Sequence, residues 1–213
     1  MSITVFGFPS SRSIRVTWML EELGLAYDYQ LVNMSKGESQ SPAYLAVNPA
    51  GKVPALKTEQ GILTESVAIL NYLGALKPDE GLIPAHTLFE RARYDQWCLF
   101  ALAELEQPLW TIGKNKFALP KAQRCPEIFP TAEWEFQKAL NLLSDGLGEN
   151  AYILGSHFSA ADILLAHTLF WGRDFKQKIE AVNLQDYMQR LSQRPALAAA
   201  RKKEQDALAA AAC

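Results

Sequence analysis

Two stretches carry residue types that point to a bound ligand: Asn48-Pro49-Ala50-Gly51-Lys52-Val53-Pro54-Ala55-Leu56 and, further on, Thr64-Glu65-Ser66. Pro49 and Gly51 mark a turn, because proline fixes φ and glycine supplies angles that strain other residues. Val53–Leu56 reads as a short apolar strand, yet Pro54 has no N–H and is excluded from a central ladder. It fits an edge, or a cis bond in a tight turn, and the second option leaves the backbone groups of Val53 for a partner that is not protein. Glu65 and Ser66 open an apolar run, Val67 to Leu73, at helical spacing. They fall at a helix N-terminus, where free N–H groups and the dipole attract a carboxylate. The chemistry implied is a candidate ligand-binding strand edge beside a candidate carboxylate site. The bland alternatives are a strand start at Val53 and a simple helix cap at Glu65 and Ser66. A third cluster, Ser10-Ser11-Arg12-Ser13, precedes another apolar helix, and its serines either cap that helix or donate to a ligand.

The elements that must position these residues follow from pattern. Ile3–Phe6 is a short β-rich run ended by Gly7 and Pro9. Ile14, Val16, Trp18, Met19, Leu20 and Leu23 make a broad helical stripe closed by Gly24. Tyr27–Val32 reads as a second strand, parallel to the first in a βαβ unit. Val53–Lys57 and Gly61–Leu63 form a hairpin with glycine in its turn, and a helix runs from Ser66 to about Leu76, before Pro78. Residues 79–87 read as a linker, and 88–213 as wholly helical. The expected helices are Phe89 to about Lys116, bent at Pro108, then Thr131–Leu147 stopped by Gly146 and Gly148, one opened by Ser159-x-x-Asp162, Leu184–Ser192 and Pro195–Ala212. The fold class is thus an α/β half over 1–78 followed by an all-α half.

Composition narrows the function classes. The chain has 213 residues, 49% hydrophobic and 21% charged, with a formal charge of −2. That balance gives no reason to expect nucleic acid or a membrane surface. No apolar run approaches the ~18–20 residues that span a bilayer. The start, Met1 to Phe6, lacks the basic and long apolar regions of a signal peptide. Cys98, Cys125 and Cys213 form no Cys-x-x-Cys pair, which fits a reducing cytosol. His86, His157 and His167 have no ligand spacing, so no metal is expected. Cys98 reads as inert core and Cys213 as an exposed terminal thiol.

A β-α-β then β-β-α half whose third strand opens at proline is thioredoxin-like, and joined to a helical half of this length the chain resembles the cytosolic glutathione transferase superfamily. The resemblance covers the whole chain and rests on Ser10–Val16, Asn48–Leu56, Thr64–Leu73 and Tyr152–Leu165. Ser10-Ser11-Arg12-Ser13-Ile14-Arg15-Val16 is close to the serine pattern of the zeta class, departing at Arg12, where that class has cysteine. Glu65 is more like theta and general bacterial members.

What the resemblance implies is a co-substrate, glutathione, and a small hydrophobic electrophile. Ser10, or Ser11 one position on, would hydrogen-bond the glutathione sulfur and favour the thiolate, which is the nucleophile. A charge-assisted hydrogen bond contributes about 1.5–3 kcal/mol and a helix N-terminus roughly 0.3–1. Together these lower a thiol pKa by roughly 1–3. Val53 would pair with the cysteinyl backbone beside Pro54, Glu65 would hold the γ-glutamyl ammonium, Ser66 its carboxylate, and Lys52 would meet the glycyl carboxylate. Phe8, Arg12 and Phe100 would face the electrophile, though aromatics at helical spacing (Trp97, Trp110, Phe117 and Trp171 as well) also suit a core. Ser159-x-x-Asp162 reads as a folding element. The resemblance further implies a cytoplasmic homodimer. The alternatives are a glutathione-dependent cis–trans isomerase of the maleylacetoacetate type, and a non-catalytic glutathione-binding or assembly module on the same fold.

Overall fold

A computed structural model describes residues 2–84 and 87–211. His86 and Cys213, noted above, lie outside the described residues. The chain divides into two compact units, one taking the chain up to Ile83 and again from Gln193, the other running from Pro84 to Ser192.

In the first unit, strand β1 (Thr4–Gly7) leads into helix α1 (Ser13–Glu22) and strand β2 (Asp28–Leu31). A single turn of helix, α2 (Pro42–Leu45), precedes β3 (Ala55–Thr58), β4 (Gly61–Thr64) and α3 (Ser66–Leu76). The sheet order is β2-β1-β3-β4, with β1 parallel to β2 and antiparallel to β3. Alternate residues of β1 are buried, as expected for a strand between two faces, while edge strands β2 and β4 are more exposed. Val5, Val16, Trp18, Leu20, Leu56, Ile69 and Leu73 fill the core. The last helix, α9 (Pro195–Ala210), packs on α1 and β2. This differs from the expectation that 88–213 is one helical domain. The reason is the stripe Leu197, Ala200 and Glu204, buried at i, i+3 and i+7, which gives α9 a face for α1.

The second unit is helical: α4 (Leu88–Phe100), α5 (Gln107–Gly113), α6 (Phe129–Leu147), α7 (Ala160–Asp174) and α8 (Val182–Ser192). The long helix expected from Phe89 is interrupted by π-helical turns at Ala101–Glu106 and Lys114–Ala118. Pro108 lacks the N–H that would close on the Glu104 carbonyl, so the register widens just before it. Gly146 does not end α6 but lies within it; a Cβ there would meet Trp97 at 2.2 Å, so the glycine makes room for an indole. Asp162 is fully buried and accepts from the amides of Ile153 (2.9 Å) and Ser159 (2.8 Å), the Ser159 hydroxyl (2.9 Å) and the Tyr187 hydroxyl (2.6 Å).

Candidate functional site

The ladder places three chain segments at one end of the first unit's sheet. Phe6 pairs with Ala55, and Ala55 pairs with Thr64, so these three residues form one row across β1, β3 and β4. Beyond that row the chain leaves β1 through Phe8 to Arg12, enters β3 through Lys52 to Pro54, and leaves β4 at Glu65. The predicted residues of this unit are therefore gathered by strand register, although they are up to 58 positions apart (8 to 66).

The approach to β3 is held from below. The Lys52 carbonyl accepts from the Tyr44 hydroxyl and from Asn48 Nδ2, both at 2.6 Å. Burial pushes the Tyr44 phenol up to about 12, so it remains a donor. Gly51 has φ +62, and a Cβ there would lie 2.9 Å from the Ser39 carbonyl, so only glycine fits this turn. Val53 packs beside Val32 and Tyr44, with Phe6, Phe8 and Val47 around them. The Val53–Pro54 bond is cis. Neither backbone group of Val53 has a hydrogen-bond partner among the described residues. Lys52 projects into solvent.

At the start of α3, Glu65 is exposed and holds φ +65, ψ 110, a conformation that costs a non-glycine residue of order 1–3 kcal/mol. Its carboxylate has no hydrogen bond among the described residues, and neither do the first three amides of α3. Ser66 is buried, and its hydroxyl accepts from Arg15 Nη1 at 3.2 Å. Arg15 is fully buried within α1. Sequence reasoning passed over it. The signal was there, since a guanidinium flanked by Ile14 and Val16 inside an apolar stripe must be paired if buried.

The serine loop divides its serines. Ser11 Oγ donates to the Phe8 carbonyl (2.6 Å), lies 2.9 Å from Ser13 Oγ, and accepts the Ser13 amide (3.2 Å). Ser13 Oγ accepts the Phe8 amide (3.1 Å) and donates to its carbonyl (2.8 Å). Ser11 thus takes the first amide of α1, as the helix-capping alternative required, whereas Ser13 ties the helix start back to Phe8. Ser10 is different: it is exposed, has φ +60, and its hydroxyl has no partner among the described residues. Gly7 keeps the loop close, because a Cβ there would meet Ser13 Cβ at 2.7 Å and the Tyr29 hydroxyl at 2.8 Å. Behind the loop, Glu204 of α9 accepts from Thr17 Oγ1 at 3.0 Å.

The remaining expectations fall in both units. Phe8 is half-buried against the Val53 cluster, and Arg12 is half-buried at the position before α1. Phe100, in the second unit, is half-buried and meets Trp97 edge-on with centroids 5.2 Å apart. Trp97 is buried, as the core alternative required, whereas Phe117 is exposed. Cys98 is buried and its thiol is pushed up to about 12 by burial, which leaves it unreactive. No group of three or more metal-ligating side chains lies together among the described residues.

The first unit thus brings together an unpaired stretch of backbone before β3, an open N-terminus at α3 and an exposed serine hydroxyl ahead of α1. Residues 1–75 match the family model "Glutathione S-transferase, N-terminal domain", and residues 116–195 match "Glutathione S-transferase, C-terminal domain". The chain is 31% identical to glutathione S-transferase GstA of Escherichia coli O157:H7 over 211 residues, 97% of each chain. The crystal structure of a glutathione transferase from Methylococcus capsulatus superposes with a TM-score of 0.84 at 30% identity, covering 95% of this chain and 98% of that one. A glutathione transferase homolog from Sulfitobacter, solved with bound glutathione, gives 0.84 at 26% identity over the same shares. The chain belongs to the glutathione S-transferase family, and it is a glutathione transferase.

Proposed function

We propose that this transferase activates glutathione with a serine hydroxyl, Ser10 first and Ser11 second, for attack on a small hydrophobic electrophile. The observation that carries the reading is the unpaired Val53 backbone, in strand register with the Ser10 loop and the start of α3. An extended peptide adds to such an edge by main-chain hydrogen bonds. With its cysteinyl residue on Val53 beside Pro54, its γ-glutamyl end meets the amides of α3, with Ser66 near its carboxylate and Glu65 near its ammonium. Lys52 takes the glycyl carboxylate. Arg15 acts indirectly by fixing the Ser66 hydroxyl. The free hydroxyl of Ser10 supports its first place; Ser11 spends its proton on the Phe8 carbonyl or Ser13. No protein base is needed, because the donor and the helix mouth together favour the thiolate. Phe8, Arg12 and Phe100 are the candidates for the electrophile side. The family resemblance adds a cytoplasmic homodimer, which size-exclusion chromatography with light scattering tests.

The test is retention on glutathione-agarose followed by a panel of electrophiles on wild type, Ser10→Ala and Ser11→Ala. The expected result is retention of all three proteins, with the largest fall in kcat/KM for Ser10→Ala. Full activity in both variants, with glutathione still bound, overturns the serine mechanism.

A further inference from the structure

The hydroxyls of the serine loop do not end at Ser13. Thr17 Oγ1, one turn along α1, donates to Glu204 Oε1 at 3.0 Å and also to the Ser13 carbonyl at 3.4 Å, and Ser13 is one of the two donors that favour the ionised carboxyl. Ser13 Oγ is in turn 2.9 Å from Ser11 Oγ, next to Ser10. A continuous polar path therefore runs from an α9 carboxyl to the mouth of α1. Glu204 is only 2% exposed, and its place in the Leu197–Ala200 stripe is one where an apolar residue would normally pack.

We infer that Glu204 is a positioning residue of the thiolate site: neutral, it leaves the Ser13 and Ser11 hydroxyls free to serve the loop, and ionised, it draws the Ser13 proton inward and opposes a second negative charge at the helix mouth. This rests on the serine reading of the site.

The surroundings support it. The elements packed on α9 are α1 and β2. From α1 the carboxyl is faced by Ser13 and Thr17, while Arg15 is directed at Ser66. From β2 it is faced by Tyr29, and from the residue before β2 by Tyr27. On α9 itself, Lys203 is turned to the Tyr27 carbonyl (2.7 Å) and Lys202 pairs with Asp206. No cation is paired with Glu204 among the described residues. Burial accordingly pushes the carboxyl up to about 7, against the donors on Thr17 and Ser13. The buried Tyr29 hydroxyl has no hydrogen-bond partner among the described residues, and it adjoins Ser13 across Gly7. The cluster thus holds one unspent donor with which to reorganise when the carboxyl ionises.

Two like charges linked this way must act on each other reciprocally. The experiment follows both ends in the full-length protein. The ultraviolet thiolate absorbance of bound glutathione is titrated in wild type and Glu204→Gln, which keeps shape and removes the charge. The Glu204 carboxyl is titrated by carbon NMR in the wild type alone, with glutathione and with S-methylglutathione, which has no thiol to ionise. The expected results are a bound-thiol pKa lower by ~0.5–1 in Glu204→Gln, and a Glu204 titration raised by the same amount by glutathione but not by its methyl thioether. Equal thiol pKa values in the two proteins, or a carboxyl titration indifferent to glutathione, overturns the inference. If Glu204→Gln does not fold, the wild-type carboxyl titration decides. If wild type binds glutathione without forming a thiolate, the serine mechanism fails and this inference fails with it. That outcome shows in the wild type alone, so the two failures are distinguishable.

Discussion

Helices α1 and α7 both begin beside serines and a buried carboxyl, but they treat them differently. At α7 the carboxyl is local: Asp162 sits three residues from Ser159, and four donors converge on it. At α1 the carboxyl is Glu204, 187 positions from Thr17, with one hydrogen bond at 3.0 Å and Ser13 facing it. The α7 start is closed by its own polar groups. The α1 start leaves Ser10 unspent and borrows its charge from the other end of the chain. Saturation with donors is what a folding element needs; an unspent donor at a helix mouth is what a ligand needs.

The largest expected effect tests the closed site. Asp162→Ala strands the amides of Ile153 and Ser159 and the Tyr187 hydroxyl, all buried, and should cost about 3–5 kcal/mol of stability. Thermal or urea unfolding measures the loss, while glutathione affinity per folded molecule stays near wild type. Unchanged melting with lost binding would erase the contrast between the two helix starts.

The next effect belongs to the borrowed carboxyl. A folded-state pKa raised from 4.5 to about 7 means that the fold favours neutral Glu204. Its contribution is fully present below about pH 4.5 and is lost as pH rises through about 7, a difference of about 3 kcal/mol. Glu204→Gln should therefore match wild type near pH 4.5 and exceed it by up to that amount at pH 8. Urea unfolding across this range checks it; a gap that does not grow with pH sinks the assignment.

Ser10→Ala comes third. Removing a charge-assisted donor of about 1.5–3 kcal/mol should lower kcat/KM by ~10–150-fold below the thiol's pKa, with less effect above it. Stability should hardly change, since the hydroxyl is exposed and spends no bond on the fold. Ser11→Ala should do the reverse, costing stability through the Phe8 and Ser13 contacts.

Most of this architecture was legible from local signals. Turn residues, the Pro54 position and two periodicities were enough for the β-α-β, β-β-α order, and the glycine at 24 closed α1 with φ +58 as expected. What escaped were features that depend on distant partners. Nothing near Glu204 reveals that α1 will cover it. Arg15 was hidden by its apolar neighbours, although its charge was itself the clue. Gly146 has the position of a stop, because a glycine near a helix end usually is one; the Trp97 ring that demands it comes from another helix. Periodicity reports which face is buried, not what it is buried against.

The smallest effect divides stability from binding at a single residue. Glu65 holds a backbone angle that favours glycine, with no hydrogen bond to its side chain among the described residues. Glu65→Gly should therefore leave stability unchanged or raise it by up to ~1 kcal/mol, the relief of the positive φ being partly offset by the entropy of the unfolded glycine. Glutathione affinity should fall at the same time, by about tenfold, because the ammonium of the γ-glutamyl end loses its charge partner while the α3 amides remain. Calorimetric titration and unfolding on the same preparation read both quantities. If the variant loses stability instead, the strained angle serves the fold, and the open helix start would then be closer in kind to the Asp162 site than its unpaired groups suggest.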